Sequence, residues 1–376
     1  MNFLVVKIIS CLTNVFPVSK KIWVFNSYPD FTDNPYAFFH KALPQRPDVH
    51  FVWLFSDKKL LKEMRKNNKA SNVSFLSKKS LLGLWYFLRC GFLFVSHGIF
   101  DRYRADDSSK IVINLWHGMP LKRICYMEAQ TEWVTYSDYV IATSPLFKSI
   151  MSQSFKTDDS HTLLVGQPRN DLLFEDTDFF EKKKIDRNRF SKIGAWLPTY
   201  RCSIIQQRTD GAFHNGQLLF LNTEDLKKLD EFLVEKNILL IVKLHPMDCL
   251  QNYVFPEFSN LMILKQKDFD SQLYPFLGNC DFLLTDYSSV WVDYEILNRP
   301  IGLVCDDFDD YAQNRGFTIP NFWEKMSFPI LKNLDELEEF VANLPQRKGA
   351  EDSVFNTYRD DHSSDRLLAL LDGMKK

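Results

Sequence analysis

The sequence predicts an α/β protein made of two doubly wound domains. Two series of short apolar segments, typical of strands, alternate with amphipathic segments, typical of helices. A charged stretch at 175–189 separates the two series. We therefore expect an N-terminal domain at 1–175 and a C-terminal domain at 176–376, with the option that the last helix packs back on the first domain.

Six apolar runs of the first series are predicted to be parallel strands. They lie at 21–26, 50–55, 91–96, 111–115, 139–143 and 162–166. Helical patterns lie between them at 36–43, 58–67, 81–89 and 145–154. The apolar run 81–95 contains Arg89 and is shorter than the ~20 residues of a membrane span, so it is interpreted as a buried helix followed by a strand.

The second series predicts a second parallel sheet. Its strands lie near 192–197, 238–244, 261–263, 282–285 and 301–304. Ligands of open parallel sheets bind beyond the carboxyl ends of the strands. We therefore expect the chemistry where a polar motif directly follows an apolar run.

Composition restricts the class of protein. The net charge of −2 gives nucleic-acid binding no bulk electrostatic support. The seven cysteines are scattered without a CxxC pair, which favours buried free thiols in a reducing compartment. Residues 1–16 are apolar, but they contain Lys7 and Asn14 and lack a small-residue cleavage site, which argues against a secretory signal. The expected location is the cytoplasm, either in solution or peripheral to a membrane.

Two histidines follow predicted strands at matching places in the two domains. His117 lies in the motif 116–122 and His245 in the motif 243–246. A histidine at a strand end can project into a cleft and act as a general base, although a structural histidine in a turn is the alternative for each. His97 is a weaker candidate of the same kind. Lys122 would neutralise an anion or be solvated.

Two arginines and a group of hydroxyls also follow strands. Arg169 lies in the motif 166–171 and Arg201 in the motif 197–201, where each could bind a phosphate or form a structural ion pair. The segment 285–289 carries three hydroxyls where a helix begins, and a helix N-terminus attracts phosphate. Ordinary helix capping is the alternative for these hydroxyls.

This set of residues fits a phosphorylated or diphosphate substrate. The acidic run 306–310 could hold Mg²⁺, although a surface acidic loop is favoured. The chain has no GxxxxGK[ST], GxGxxG or GxSxG motif, so P-loop, dinucleotide-binding and hydrolase readings lack their signatures.

The motifs also carry a family resemblance. WHGMPLK at 116–122, GQPRND at 166–171, LPTYR at 197–201, KLHP at 243–246 and TDYSSVWVDY at 285–294 occur in this order. Further matches are Ser27, Asp33-Asn34-Pro35, Arg299-Pro300 and the stretch 307–317 with Arg315-Gly316-Phe317. With these motifs, the chain resembles the CDP-glycerol:poly(glycerophosphate) glycerophosphotransferase family, which includes primase-like and polymerase-like enzymes of teichoic acid synthesis.

The resemblance implies a GT-B-like fold with two Rossmann-like domains that face a central cleft, the first binding the acceptor and the second the CDP donor. It implies transfer of a polyol phosphate, glycerol phosphate before ribitol phosphate, from a CDP-activated donor to a hydroxyl of a lipid-linked glycan or polyol phosphate acceptor. CMP is released, in teichoic acid-like or capsule polymer synthesis. No cofactor is required, and Mg²⁺ is not indicated.

The resemblance also implies roles for particular residues. His117 would be the catalytic base, and His245 would assist at the diphosphate. The remaining residues divide into donor phosphate contacts (Arg201, Thr285, Ser288, Ser289 and Arg169) and supporting residues (Lys122, Lys243, Asp286 and Asp293). Met119 stands where a small polar threonine is usual, so the acceptor-side loop is expected to differ. The short chain favours a compact priming or single-transfer enzyme.

Two further hypotheses about the function stay open. A GT-B glycosyltransferase that uses a nucleotide sugar would keep the fold and change the chemistry, and a non-catalytic anion-binding protein would keep the fold alone.

Peripheral attachment to the inner face of the cell membrane is expected. It would use basic stretches at 20–21, 58–59 and 62–69, whose alternative is an ordinary solvated surface.

Overall fold

The computed structural model describes residues 3–100, 103–106, 108–128, 131, 134–201, 217–307, 316–319, 325–326, 328–344 and 353–374. Contacts divide the chain into two compact units. Unit 1 comprises Met1–Pro120, Ile124–Leu172 and Phe355–Lys376, and unit 2 comprises Leu121–Arg123 and Leu173–Val354. The border expected from the sequence, between residues 175 and 176, stays a prediction of how the domains are organised for function.

Unit 1 is built on a seven-stranded sheet whose neighbouring strands all run parallel. The strands are β1 (Ser19–Asn26), β2 (His50–Phe55), β3 (Val73–Ser77), β4 (Cys90–Val95), β5 (Ile111–Asn114), β6 (Tyr139–Ala142) and β7 (Thr162–Leu164). Their spatial order is β3-β2-β1-β4-β5-β6-β7. The helices are α1 (Phe3–Val15), α2 (Asp33–Gln45), α3 (Lys58–Asn67), α4 (Leu81–Arg89), α5 (Pro145–Phe155), α6 (Pro168–Asp171) and, late in the chain, α12 (Ser363–Leu371).

Helices cover both faces of this sheet, which explains why its central strands are apolar throughout. Every residue of β4 and β5 is buried. On one face, α2, α3 and α12 pack on an aromatic core around Trp23 and Phe25. On the other face, α1 and α4 pack through residues such as Val6, Ile9 and Phe87.

Unit 2 has a six-stranded parallel sheet. Its strands are β8 (Lys192–Trp196), β9 (Ile238–Lys243), β10 (Leu261–Leu264), β11 (Phe282–Thr285), β12 (Ile301–Val304) and β13 (Ile330–Leu331), in the spatial order β10-β9-β8-β11-β12-β13. The helices are α7 (Phe179–Lys182), α8 (Thr223–Glu235), α9 (Leu273–Gly278), α10 (Val290–Tyr294) and α11 (Leu334–Ala342). Both units therefore have the strand order of Rossmann-like folds.

The predicted fold class is confirmed. Each strand expected from the sequence is present, with ends that differ by about two residues at most. The segment 81–95 is a helix followed by a strand, and no helix among the described residues is long and apolar enough to cross a membrane. The sequence reasoning missed α1 and the outer strands β3 and β13. β3 lies at the sheet edge and is only partly buried, and β13 has two residues.

Candidate functional site

The strand order of each sheet reverses at one place, and the predicted site residues lie close to it. In unit 1 the reversal lies between β1 and β4, and in unit 2 it lies between β8 and β11. Ligands of doubly wound proteins bind beyond the carboxyl ends of the strands at such a switch point. The segments that follow these strands therefore form two candidate clusters, one in each unit.

His117 sits on a tight turn after β5. Trp116 and Gly118 on either side of it have positive φ angles of 49° and 134°. The buried side chain of Asn34, at the start of α2, holds this turn. Its amide nitrogen donates to the carbonyl oxygens of Leu115 at 2.9 Å and Trp116 at 3.1 Å. The backbone of the turn is thereby tied to the body of unit 1.

The imidazole of His117 stacks on that of His97, which follows β4. The ring centroids are 3.9 Å apart and the planes differ by 2°. Ser96 contacts both rings. Its backbone carbonyl lies 3.5 Å from Nδ1 of His117, and its hydroxyl oxygen lies 3.0 Å from Nδ1 of His97. A carbonyl oxygen only accepts hydrogen bonds, so this contact favours the tautomer of His117 with the proton on Nδ1, which has Nε2 as the basic nitrogen.

Burial, reinforced by the neighbouring charges of His97 and Arg169, lowers the pKa of His117 to about 3, while Asp33 opposes the shift. Burial also lowers the pKa of His97. At neutral pH the His117 ring is therefore uncharged, which is the form that a general base needs.

Arg169 lies close to this histidine pair, but its guanidinium is engaged. Nη1 donates to Asp33 at 2.9 Å, and its backbone N–H donates to the Asn34 side chain at 3.0 Å. Asp171 of the same motif accepts the backbone N–H groups of Ser363 and Ser364 at the start of α12. The motif 166–171 thus joins α12 to the switch-point region of unit 1.

In unit 2, Arg201 forms a buried ion-pair network at the switch point. Its Nε and Nη2 donate to the two carboxylate oxygens of Asp307 at 2.6 and 3.1 Å, and Nη1 donates to Asp286 at 2.8 Å. The Tyr287 hydroxyl donates to Asp307 at 2.9 Å, and Thr199 donates to Asp286 through both its backbone N–H and its hydroxyl. Arg201 therefore joins the segments after β8, β11 and β12, and its direct phosphate contact stays a prediction.

The hydroxyls of the segment 285–289 differ in their surroundings. Thr285 is buried, and its hydroxyl donates to the carbonyl oxygen of Leu197 at 2.7 Å. Ser288 and Ser289 are half-buried between β11 and α10, and Ser289 is the N-cap residue without a side-chain capping bond. Asp293, expected to support the site, is buried and accepts the Tyr274 hydroxyl at 2.7 Å, which ties α10 to α9.

His245 lies just beyond β9 and is held in the other tautomer. Its Nδ1 accepts the backbone N–H of Met247 at 3.1 Å, so the proton of the neutral ring is on Nε2. Burial, with the nearby charges of Lys243 and Lys122, lowers the pKa of His245 to about 4. Burial likewise lowers the pKa of Lys243 to about 8, and its ammonium group donates to Gln266.

The described residues hold no group of three or more His, Cys, Asp or Glu that could bind a metal ion. Of the acidic run 306–310, Asp307 is paired with Arg201, whereas Asp309 and Asp310 lie outside the described residues, as does Arg315.

Several residues of the two clusters were not predicted as site residues, although Asn34, Thr199 and Asp307 lie within motifs or runs noted in the sequence. Asn34, Asp307 and Thr199 act through contacts with residues far along the chain. Asp248 follows the His245 motif, and burial raises its pKa to about 6. The pattern Asp33-Asn34-Pro35 was the single available pointer to the Asn34 position.

Two Rossmann-like units with histidines, arginines and hydroxyls at their switch points are typical of enzymes that act on nucleotide-activated, phosphorylated substrates. Comparison with known proteins makes the class specific. The chain belongs to the CDP-glycerol:poly(glycerophosphate) glycerophosphotransferase family, whose sequence profile matches residues 8–372. It is a transferase that moves a polyol phosphate from a CDP-activated donor.

Known relatives extend over most of the chain. A teichoic acid poly(glycerol phosphate) polymerase of Bacillus spizizenii is 25% identical over 371 residues, covering 90% of this chain and 88% of the relative. A teichoic acid ribitol-phosphate primase of the same organism is 24% identical and covers 95% and 92%. The solved structure of a variant of the wall teichoic acid polymerase TagF has a TM-score of 0.76 at 20% identity, covering 98% of this chain and 93% of that chain, which shows the shared fold.

Proposed function

We propose that the protein transfers glycerol phosphate from CDP-glycerol to a hydroxyl of a lipid-linked polyol phosphate acceptor. Names of relatives support both glycerol phosphate and ribitol phosphate as the transferred group, and the family description supports glycerol phosphate. The reaction joins the acceptor oxygen to the β-phosphorus of the donor, breaks the bond between that phosphorus and the bridging oxygen, and releases CMP.

The proposed roles of His117 and His245 rest on their opposite tautomers. In the tautomer that the Ser96 carbonyl favours, Nε2 of His117 has no proton and can accept one from the acceptor hydroxyl as the new bond forms. Nε2 of His245 has a proton and can donate a hydrogen bond to a donor phosphate oxygen. These opposite tautomers support the proposal that His117 is the base and His245 the hydrogen-bond donor, a difference that residue type alone does not indicate.

Donor phosphates are assigned to the polar groups near the unit 2 switch point. Ser288 and Ser289 are half-buried and carry hydroxyls at the start of a helix, and Lys122 and Lys243 add positive charge close to His245. Arg201 is assigned a positioning role, because Nε, Nη1 and Nη2 all donate to protein oxygens. Arg169 is assigned the same kind of role beside His117, through Asp33.

The test is CMP release from purified protein with CDP-glycerol or CDP-ribitol and a glycerol-phosphate-primed lipid acceptor. His117→Ala is expected to lower kcat by about 10²–10⁴-fold, the usual contribution of a general base. His161→Ala is the matched control, because His161 lies in the same unit, is paired with Asp158 and has no proposed role.

Equal rates for wild type and His117→Ala, both folded, would contradict the assignment of the base. If the wild type releases no CMP with either donor but transfers sugar from a nucleotide sugar, the proposed reaction would be replaced by glycosyl transfer. Product analysis separates these cases, since glycerophosphate transfer adds a phosphodiester to the acceptor.

The lipid-linked acceptor places the protein at the inner face of the cell membrane, as a peripheral protein. The expected basic stretch at 58–69 includes the exposed side of α3, which carries one acidic residue, Glu63, and five basic residues, namely Lys58, Lys59, Lys62, Arg65 and Lys66. An ordinary solvated surface helix is the alternative interpretation of this stretch.

A further inference from the structure

Lys243, the last residue of β9, carries a charge without a carboxylate partner. Its ammonium group donates to the side-chain carbonyl oxygen of Gln266 at 3.1 Å and lies 5.2 Å from the centroid of the Phe269 ring. It forms no ion pair with any residue that the structure describes. Burial lowers its pKa to about 8, so the ammonium form still predominates at pH 7. A cation that is partly withdrawn from water is stabilised by an anion, and an anionic ligand would supply one.

Gln266 lies in the short segment that follows β10, beside the end of β9. The two strands are parallel, and Leu264 at the end of β10 is the register partner of Lys243. The exposed Gln266 side chain therefore reaches Lys243 from the neighbouring strand. Its carbonyl oxygen is a neutral acceptor, whereas a glutamate of the same length would present a carboxylate. Glutamine thus directs the ammonium group and leaves its charge in place.

Gln251 joins the same segment to His245. It lies in the short 3₁₀ helix Cys249–Asn252. Its Nε2 donates to the backbone carbonyl oxygen of His245 at 2.9 Å, and its Oε1 accepts the backbone N–H of Gln266 at 3.0 Å. One contact needs a donor and the other an acceptor, so together they fix the orientation of the amide. A single side chain therefore holds the backbones of both His245 and Gln266.

We propose that Gln266 and Gln251 are positioning residues for donor binding. Gln266 directs the Lys243 ammonium group to the donor diphosphate without neutralising it, and Gln251 holds His245 next to that charge. Lys243 lies close enough to His245 for its charge to lower the pKa of the histidine. Neither glutamine belongs to the motifs that predicted the site. The inference rests on the proposed function for the identity of the anion.

The test is calorimetric titration of the full chain with CDP, which carries the diphosphate, and with cytidine, which carries no phosphate. Gln266→Glu keeps the length of the side chain and places a carboxylate oxygen opposite Lys243. The affinity for CDP should fall by at least about tenfold, because the carboxylate neutralises the lysine and repels the diphosphate. The affinity for cytidine should not change. Tm should stay equal or rise, because the new contact is an exposed ion pair.

Two further variants separate charge from packing. Gln266→Met removes the carbonyl oxygen without adding charge, so the affinity for CDP should fall less than in Gln266→Glu. A purely structural glutamine would give the reverse order, because glutamate keeps an acceptor for Lys243 and methionine does not. Gln272→Glu is the matched control. It adds the same charge at an exposed position before α9, has no proposed role and should bind CDP like the wild type.

The role of Gln251 is tested by a double-mutant cycle with His245. Gln251→Glu keeps an acceptor for the Gln266 backbone N–H and removes the donor to the His245 carbonyl oxygen. The variant should weaken CDP binding in the wild-type background. It should have little further effect in His245→Ala, because a residue that acts through His245 has nothing left to position.

Three results would each overturn the inference. They are unchanged CDP affinity in Gln266→Glu, a larger loss in Gln266→Met than in Gln266→Glu, and equal effects of Gln251→Glu with and without His245. CMP release is measured separately. A wild type that binds CDP with the expected pattern of variants, but releases no CMP from CDP-glycerol in the presence of acceptor, would refute the proposed reaction and leave the positioning roles standing.

Discussion

Substitution of Arg201 measures how much the stability of unit 2 depends on the ion-pair network at its switch point. Arg201→Met keeps an unbranched side chain, although a shorter one, and removes the guanidinium. The change leaves the carboxylates of Asp286 and Asp307 buried without the cation that bridges them, while Thr199 and Tyr287 still donate to them. We therefore expect a large loss of stability in unit 2.

The size of the loss follows from the burial of all three charged groups. Arg201, Asp286 and Asp307 are at most 7% exposed. Removing one partner of a buried ion pair costs about 3–5 kcal/mol, because the remaining charge stays desolvated. For a unit of this size, that loss corresponds to a fall of roughly 6–20 °C in Tm. The remaining donors from Thr199 and Tyr287 favour the lower part of this range.

Chemical denaturation followed by tryptophan fluorescence measures the free energy of unfolding, and Trp196 at the end of β8 reports on unit 2. Lys192→Met is the control. It removes an ion pair with Asp281 in the same unit, 3.5 Å long, whose side chains are about half exposed, and it should cost at most about 1 kcal/mol. KM for the CDP donor is measured at a temperature where the variants are folded.

A cost below about 1 kcal/mol for Arg201→Met would refute the structural role that the network implies. If the same variant also raised KM for the donor by about tenfold, equivalent to 1.4 kcal/mol, Arg201 would return to the role that the sequence indicated, a direct phosphate contact. The expected pattern is the reverse, with a large loss of stability and a small change in KM.

Three more predictions concern the unit 1 cluster. Because the pKa of His117 is lowered to about 3, the base stays deprotonated as pH falls through 6.5. The pH profile of kcat/KM should therefore show no inflection from His117 near pH 6.5. An inflection near pH 6.5 that is absent in His117→Ala would contradict the lowered pKa. His97→Ala should raise the pKa of His117 towards its ordinary value by exposing the ring, whereas His97→Phe keeps the stacked ring and should shift the pKa less. NMR titration of the His117 ring protons measures both shifts. Equal shifts in the two variants would show that the stacked ring is not the cause of the lowered pKa. Asn34→Asp replaces the amide that donates to the Leu115 and Trp116 carbonyls by a carboxylate, which can only accept. The variant should lose about 1–3 kcal/mol of unfolding free energy and have a lower kcat. An unchanged kcat would show that the turn is held without Asn34.

The fold was accessible from the sequence because parallel strands covered on both faces are apolar at every position. β4 and β5 are of this kind, and both were predicted. β3 is a partly buried edge strand, and its pattern resembles that of the surrounding loops. The residues of α1 were considered only as a secretory signal, and their apolar character did not suggest a surface helix.

The positions of the site motifs were predictable, but their partners were not. A polar residue after an apolar run must lie near the carboxyl end of a parallel sheet, which places His117, Arg201 and Thr285. The sequence gives no sign that Arg201 meets Asp307, 106 positions away, or that Asn34 meets Leu115, 81 positions away. An arginine that faces a carboxylate and one that faces a phosphate look the same in a single sequence, because both need the same donor geometry.

The two neutral histidines also set a condition on when the proposed chemistry can occur. A base whose pKa is about 3 has little tendency to take a proton from a hydroxyl at neutral pH. An anionic phosphate close to His117 would raise that pKa, because negative charge stabilises the imidazolium form. We therefore expect the base to become effective after a phosphorylated substrate is bound. The same burial that keeps His117 weakly basic in the free protein would then limit proton transfer to complexes in which a phosphorylated substrate lies close to this ring.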